Sequence, residues 1–222
     1  MSIKQNILEL RKYVPESTKL VCVSKFHPVS AIREAYDCGE RIFGESRVQE
    51  LIEKQPLLPT DIQWHFIGHL QSNKIKYIIE FVELIHGVDS FKLLKEIDKQ
   101  AQKSGRRVKC LLQMHIAQEE TKFGFLKEEV YEMLRSDDFK QLKNIEVAGL
   151  MGMATFTDNK QLIKSEFKEL KTLFDLIKRD FFPSSKQFKE ISMGMSNDYL
   201  TAIEEGSTII RIGSAIFGNR QY

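Results

Sequence analysis

Residues 20–45 read Leu20-Val-Cys-Val-Ser-Lys25-Phe-His-Pro28-Val-Ser-Ala-Ile-Arg-Glu-Ala-Tyr36-Asp-Cys-Gly39-Glu-Arg41-Ile-Phe-Gly-Glu45. Leu20–Lys25 is an apolar run of strand length. Pro28 opens a helix that continues through Tyr36 and stops at Gly39, the Pro-first, Gly-last asymmetry of helices. Arg41–Glu45 is a second strand. Strand, helix and strand in this order predict a right-handed βαβ unit with parallel strands.

The same rhythm extends outward from this unit. Further strands are predicted at 62–68, 84–89, 108–116, 145–153, 191–195 and 209–217. Helical spacing of apolar residues falls between them, at 47–54, 73–81, 91–103, 127–135, 160–180 and 198–205. Upstream, residues 2–13 carry Ile3, Ile7, Leu8 and Leu10 on one helical face, which adds a helix before the first strand. Eight parallel strands in 222 residues predict an α/β fold, a single-domain (β/α)8 TIM barrel over 1–222 with an extra N-terminal helix. A doubly wound open sheet is the alternative. No low-complexity linker divides the chain.

Composition narrows the function classes. The chain is 42% hydrophobic and 29% charged, as in soluble globular proteins. Its 33 basic and 31 acidic residues leave a net charge of +2 and give no case for nucleic acid. No apolar run approaches the ~18 residues of a membrane span. The first residues lack the apolar core of a signal peptide. Cys22, Cys38 and Cys110 are odd in number, far apart and without zinc-ligand spacing, which fits a reducing cytoplasm, and the apolar runs around Cys22 and Cys110 favour core packing for those two.

In a barrel of this kind, sites form at the carboxyl ends of the strands. Lys25 sits at such an end. Either it leaves the strand for solvent, or it is desolvated, becomes a neutral amine near neutral pH and can attack a carbonyl. Two more strand ends carry chemistry. Ser192-Met-Gly-Met-Ser196-Asn-Asp198 is a Gly- and Ser-containing turn before a helix. Its Ser196 or Asn197 could cap that helix or donate to a phosphate. Arg211-Ile-Gly213-Ser214 belongs to the last strand, and alternation puts Arg211 and Gly213 on one face. Loops seven and eight of such barrels commonly hold phosphate.

Other polar residues carry less signal. His65 and His69 straddle a strand end, so a polar contact is expected rather than a metal. His27, His86 and His115 show no cluster. Glu45 is read as a site carboxylate or a cap for the helix near Ser46. Met151, Met153, Met193 and Met195 are read as core, and Glu128, Glu129 and Glu132 as a solvated helix face.

Taken together, the ordered motifs resemble the pyridoxal phosphate homeostasis proteins, related in fold to the N-terminal barrel of alanine racemase (fold type III of pyridoxal phosphate, PLP, proteins). The resemblance covers nearly the whole chain. It is carried by Val21-Cys-Val-Ser-Lys25, Phe43-Gly-Glu-Ser-Arg-Val-Gln-Glu50, Trp64-His-Phe-Ile-Gly-His-Leu-Gln-Ser-Asn-Lys74, Gly149-Leu-Met151, Ser192-Met-Gly-Met-Ser196-Asn-Asp198 and Arg211-Ile-Gly-Ser214-Ala-Ile-Phe-Gly218. It implies PLP as cofactor, held as a Schiff base on Lys25. It implies phosphate contacts from Ser196 and from the Gly213 and Ser214 turn, with Arg211 near the pyridine nitrogen. One position departs: the family usually has Asn where this chain has Ser46, which is shorter and has no amide donor.

The resemblance implies a role in vitamin B6 homeostasis without robust catalysis and with no catalytic residue assigned. The racemases take a second base, a tyrosine, from an additional β domain and a partner subunit. A chain that runs to Tyr222, four residues past Gly218, is expected to leave no room for one. The alternative is a weak PLP-dependent racemase or lyase, with His69 or a tyrosine as second acid/base. A Schiff-base aldolase would need a lysine on a middle strand, and 145–153 has none. A monomer is expected, with a dimer as the alternative, and apo PLP-enzymes are the possible protein partners.

Overall fold

The computed structural model describes residues 2–118 and 123–218. Tyr222 lies outside them. Eight parallel strands close into a barrel in sequence order. They are β1 (Lys19–Val23), β2 (Ile42–Glu45), β3 (Gln63–Phe66), β4 (Leu84–Val88), β5 (Val108–Gln113), β6 (Ile145–Met151), β7 (Glu190–Ser192) and β8 (Ile209–Ile212). Closure is made by β1 and β8, with Val21 opposite Arg211 and Cys22 opposite Ile212. The open-sheet alternative is thereby excluded.

Nine α-helices occur among the described residues: α1 (Ile3–Arg11), α2 (Val29–Asp37), α3 (Val48–Lys54), α4 (Phe91–Lys103), α5 (Lys127–Arg135), α6 (Asp137–Lys140), α7 (Lys160–Phe181), α8 (Tyr199–Glu204) and α9 (Ser214–Phe217). None of these helices is long and apolar enough to cross a membrane. The N-terminal helix α1 is set by a reciprocal cap between Ser2 and Gln5. It packs against α2 and α9, and the Asn6 side-chain amide donates to the Ile216 carbonyl at 2.8 Å.

Alternation along the strands separates two apolar layers. Val21, Val23, Leu84, Leu111, Ala148, Met151 and Ile209 fill the barrel interior. Leu20, Cys22, Phe43, Ile85, Leu112, Leu150, Ile210 and Ile212 face outward and meet helix residues such as Ile32, Leu51, Leu94, Phe167 and Ile177. Cys22 and Cys110 are buried as expected, whereas Cys38 is half-buried.

Three expectations are corrected. Residues 73–81 do not form an α-helix. A 3-10 segment, Ser72–Tyr77, takes their place. The run 209–217 is not one strand: β8 stops at Ile212, where its parallel partner β1 is about to end, and the apolar residues that follow form α9. The strand at 191–195 is displaced to Glu190–Ser192, which leaves Met195 about one-third exposed rather than in the core.

A local irregularity fixes the β5–β6 register. The pairing shifts between Cys110 and Leu111, and Gly149 then lies opposite both Leu111 and Glu190. Gly149 has φ +153°, and a Cβ there would stand 1.8 Å from the Glu190 carbonyl oxygen. Only glycine fits.

Candidate functional site at the carboxyl ends of the strands

β1 points Val21 and Val23 inward and ends there. Lys25 lies two residues past the end of the strand, half-buried in a turn. The turn closes with the His27 amide donating to the Ser24 carbonyl at 3.1 Å. Phe26, at its third position, has φ +68°.

Behind this turn lies an ionic cluster. Lys54, buried on α3, donates from Nζ to the Ser24 carbonyl at 2.8 Å, to Glu45 Oε1 at 2.8 Å and to Glu50 Oε1 at 2.6 Å. Ser24 Oγ donates to Glu45 Oε1 at 2.7 Å. The Phe26 amide donates to Glu50 Oε1 at 2.6 Å. Glu45 therefore neither caps α3, whose N-cap is Arg47, nor opens to solvent. Burial pushes its carboxyl above the usual range, and the Lys54 ammonium opposes that rise.

Across the barrel seam, Arg211 points inward and is buried. Its Nη1 donates to the Ser192 carbonyl at 2.9 Å and to Ser192 Oγ at 2.6 Å, and its Nη2 donates to the Gly152 carbonyl at 3.2 Å. Burial lowers its pKa to about 10, which leaves it charged at neutral pH. Ser192 continues the line. Its Oγ lies 2.9 Å from His86 Nδ1, and His86 Nε2 lies 3.0 Å from His65 Nδ1. Ser192 Oγ accepts from Arg211 and shares a second hydrogen bond with His86, and a neutral His86 uses its other ring nitrogen toward His65. The polar chain links Arg211 to His65.

The polar contact expected of His65 is made with His86, which shows no cluster in the sequence; adjacency of β3 and β4 puts both on one interior layer. Burial holds both imidazoles neutral, His65 with a pKa of about 3 and His86 well below 6.5. The unfolded chain takes up these protons as pH falls through 6.5, whereas the fold does not. Stability is therefore lost on acidification, at about 1.4 kcal/mol per pH unit for each histidine. Urea titrations at pH 7, 6 and 5 should show a fall of at least about 1 kcal/mol per unit below pH 6. A flat profile would mean that the pair protonates inside the fold.

The two remaining loops adjoin this seam. Ser196 lies half-buried in the turn after β7. Neither it nor Asn197 caps α8. Asp198 holds the N-cap position, and its carboxylate takes the Met195 amide at 2.5 Å. Gly213 stands at the N-cap of α9 and Ser214 is the exposed first residue of that helix. A Cβ on Gly213 would meet the Val23 carbonyl oxygen at 3.3 Å. The β8 loop is thus pressed against β1 just before Lys25. The His27 ring stacks on Phe217 at 5.0 Å and ties the same two loops together.

All five residues singled out from the sequence therefore belong to the β7–β8–β1 sector. Ser46 is elsewhere, on the β2–β3 side, in a cavity of about 440 Å³ with Arg47, His69, Lys74 and Tyr77. Sequence reading expects a polar contact for His65, which it makes with His86, but it misses the roles of His86, Glu50 and Lys54. The i, i+4 spacing of Glu50 and Lys54 was the one available hint.

Residues 1–221 match the model of the alanine racemase N-terminal domain family. The pyridoxal phosphate homeostasis protein of Aquifex aeolicus (strain VF5) is 40% identical over 205 residues, 92% of this chain and 88% of that protein. The chain belongs to the pyridoxal phosphate homeostasis protein family. The family member from Schizosaccharomyces pombe is 37% identical over 206 residues, 90% of this chain and 84% of that one. Among solved structures, PipY of Synechococcus elongatus PCC7942, with PLP bound, superposes with a TM-score of 0.90 at 37% identity. That match covers 98% of this chain and 100% of PipY. An alanine racemase of Clostridium difficile 630 shares the fold at 15% identity, with a TM-score of 0.80 over 100% of this chain and 60% of the enzyme.

Proposed function

We propose that this homeostasis-family protein holds pyridoxal phosphate in the β7–β8–β1 sector, with Lys25 as the amine that bonds to the cofactor aldehyde. The observation that carries the reading is the Gly213 loop packed against Val23, two residues before Lys25, at the carboxyl ends of β8 and β1. When bound, the cofactor supplies an aldehyde that condenses with amines and a ring that can accept electrons.

The residues present suit that group. Ser196 and Ser214 offer hydroxyl donors on adjacent loops, and Gly213 lets backbone approach an anion closely. Arg211 has five N–H donors, and its bonds to Ser192 and Gly152 do not exhaust them. We assign it to the pyridine nitrogen. A guanidinium there opposes protonation of that nitrogen, because two adjacent cations repel. An unprotonated pyridine is a poor electron sink for a carbanion, so this arrangement favours holding cofactor over racemising amino acids. Ser192, His86 and His65 orient the guanidinium from below.

On this reading the protein acts as one barrel domain and a monomer in the cytoplasm, where Cys22, Cys38 and Cys110 stay reduced, and releases cofactor to apo-enzymes. The deciding experiment is borohydride reduction of the protein with limiting PLP, followed by peptide mass mapping. The mass increase should sit on the peptide that contains Lys25. Label spread over surface lysines would sink the proposal.

A further inference from the structure

Ser24-Lys25-Phe26-His27 forms a hydrogen-bonded turn, with the His27 amide on the Ser24 carbonyl at 3.1 Å and Phe26 at φ +68°. A positive φ at the third position is the mark of a type II turn, where glycine or asparagine is ordinarily required. Phenylalanine is unfavourable there, because its Cβ crowds the backbone. Among the described residues it is the one non-glycine residue with a positive φ. Such a conformation persists only where its surroundings over-determine it.

Those surroundings are specific. Glu50 Oε1 accepts the Phe26 amide, and the same oxygen accepts Lys54 Nζ. Lys54 Nζ reaches back to the Ser24 carbonyl and to Glu45, which in turn accepts the Ser24 hydroxyl. The residue before Lys25 and the residue after it are thus held by one buried ammonium and two carboxylates from β2 and α3. An ion pair that served α3 alone would need neither backbone contact and could stay in solvent. A cluster built on the buried Lys54 and Glu45 and the half-buried Glu50, and spent on two backbone atoms of one short turn, is there to fix that turn.

We infer that Glu50 and Lys54 are positioning residues for Lys25, acting through the backbone of Ser24 and Phe26. The inference rests on Lys25 as the cofactor amine. The cluster keeps Phe26 left-handed, and this keeps the Lys25 Cα at the barrel mouth. Without the clamp the turn relaxes toward the conformations phenylalanine prefers, and the amine leaves its aim.

The test uses Glu50→Ala rather than a change at Lys54, since removing Lys54 strands the buried Glu45 and risks the fold. Hydrogen exchange in the cofactor-free protein reads the clamp directly. Glu50→Ala should speed exchange in the peptide spanning 24–27 by at least about tenfold and leave the barrel strands protected. PLP affinity, read as the Lys25 mass adduct trapped over a cofactor titration, should weaken by at least about tenfold. Glu50→Gln keeps an acceptor oxygen for the Phe26 amide and should retain most of the affinity. Phe26→Gly placed on Glu50→Ala should recover most of the loss, because glycine adopts the turn without a clamp. A merely structural role for Glu50 would give no such rescue. Native affinity in Glu50→Ala, or a loss that Phe26→Gly leaves unrepaired in a folded barrel, overturns the inference. Absence of any Lys25 adduct in the native protein would instead overturn the cofactor reading, and unchanged exchange at 24–27 would then overturn the clamp separately.

Discussion

Lys25→Ala is expected to yield a folded barrel that forms no borohydride-stable adduct with pyridoxal phosphate. Lys25 is half-buried in a turn outside β1, so truncating it opens no core cavity. The contacts that Ser24, Phe26 and His27 make around the turn do not use the Lys25 side chain and survive the change. Near-native melting with complete loss of the yellow bound form is the predicted pair of results. The same yellow band in Lys25→Ala would move the amine to another lysine and end the present assignment. Ser196→Ala combined with Ser214→Ala should behave differently. The adduct still forms, but affinity drops at least about tenfold, since charge-assisted hydrogen bonds are worth roughly 1.5–3 kcal/mol each. Unchanged affinity would remove both hydroxyls from the phosphate.

The second large effect concerns the fold. Gly149→Ala should destabilise the protein by about 4 kcal/mol or more, enough to prevent soluble accumulation. The added methyl meets the Glu190 carbonyl oxygen at 1.8 Å and its carbonyl carbon at 2.7 Å, and φ +153° excludes relief by a small rotation. Backbone must therefore separate β6 from β7. Glu190 cannot yield freely, because its carboxylate bonds Lys19 at 2.6 Å and the Thr208 hydroxyl at 2.9 Å. A strand shift here would spread across the seam to β8 and β1. Chemical denaturation of whatever material folds gives the measurement, and a loss under about 1 kcal/mol would show that the two strands slide more readily than their contacts imply.

Part of the site and most of the barrel are legible in the chain itself. Lys25 and Arg211 stand out because a charge inside an apolar run contradicts its surroundings, and that contradiction is local. The barrel is legible for the same reason: each strand and helix carries its own period, and α4 and α5 begin and end where their apolar spacing does. Strand ends were read too far wherever apolar residues continue past the last pairing, as at Ser214–Phe217. The clusters around His86 and Lys54 were not legible. Their partners come from separate elements and meet only when the barrel closes. Phe26 gave no sign of its conformation, since nothing in a phenylalanine marks a left-handed turn.

Closure of β1 against β8 has a consequence in time. Lys19 pairs with Ile209, so β1 must wait for nearly the whole chain before its second neighbour exists. At ribosomal rates of about 5–20 residues per second, that wait is roughly 10–40 s. Through this interval the nascent chain carries an unpaired apolar strand, the kind of edge on which chains aggregate. The strands that carry Arg211 and lead into Lys25 become neighbours only after β8 has docked on β1. A chain cut short before Ile209 cannot close this seam, so on the proposed assignment ligand capture reports that β8 has been made and docked.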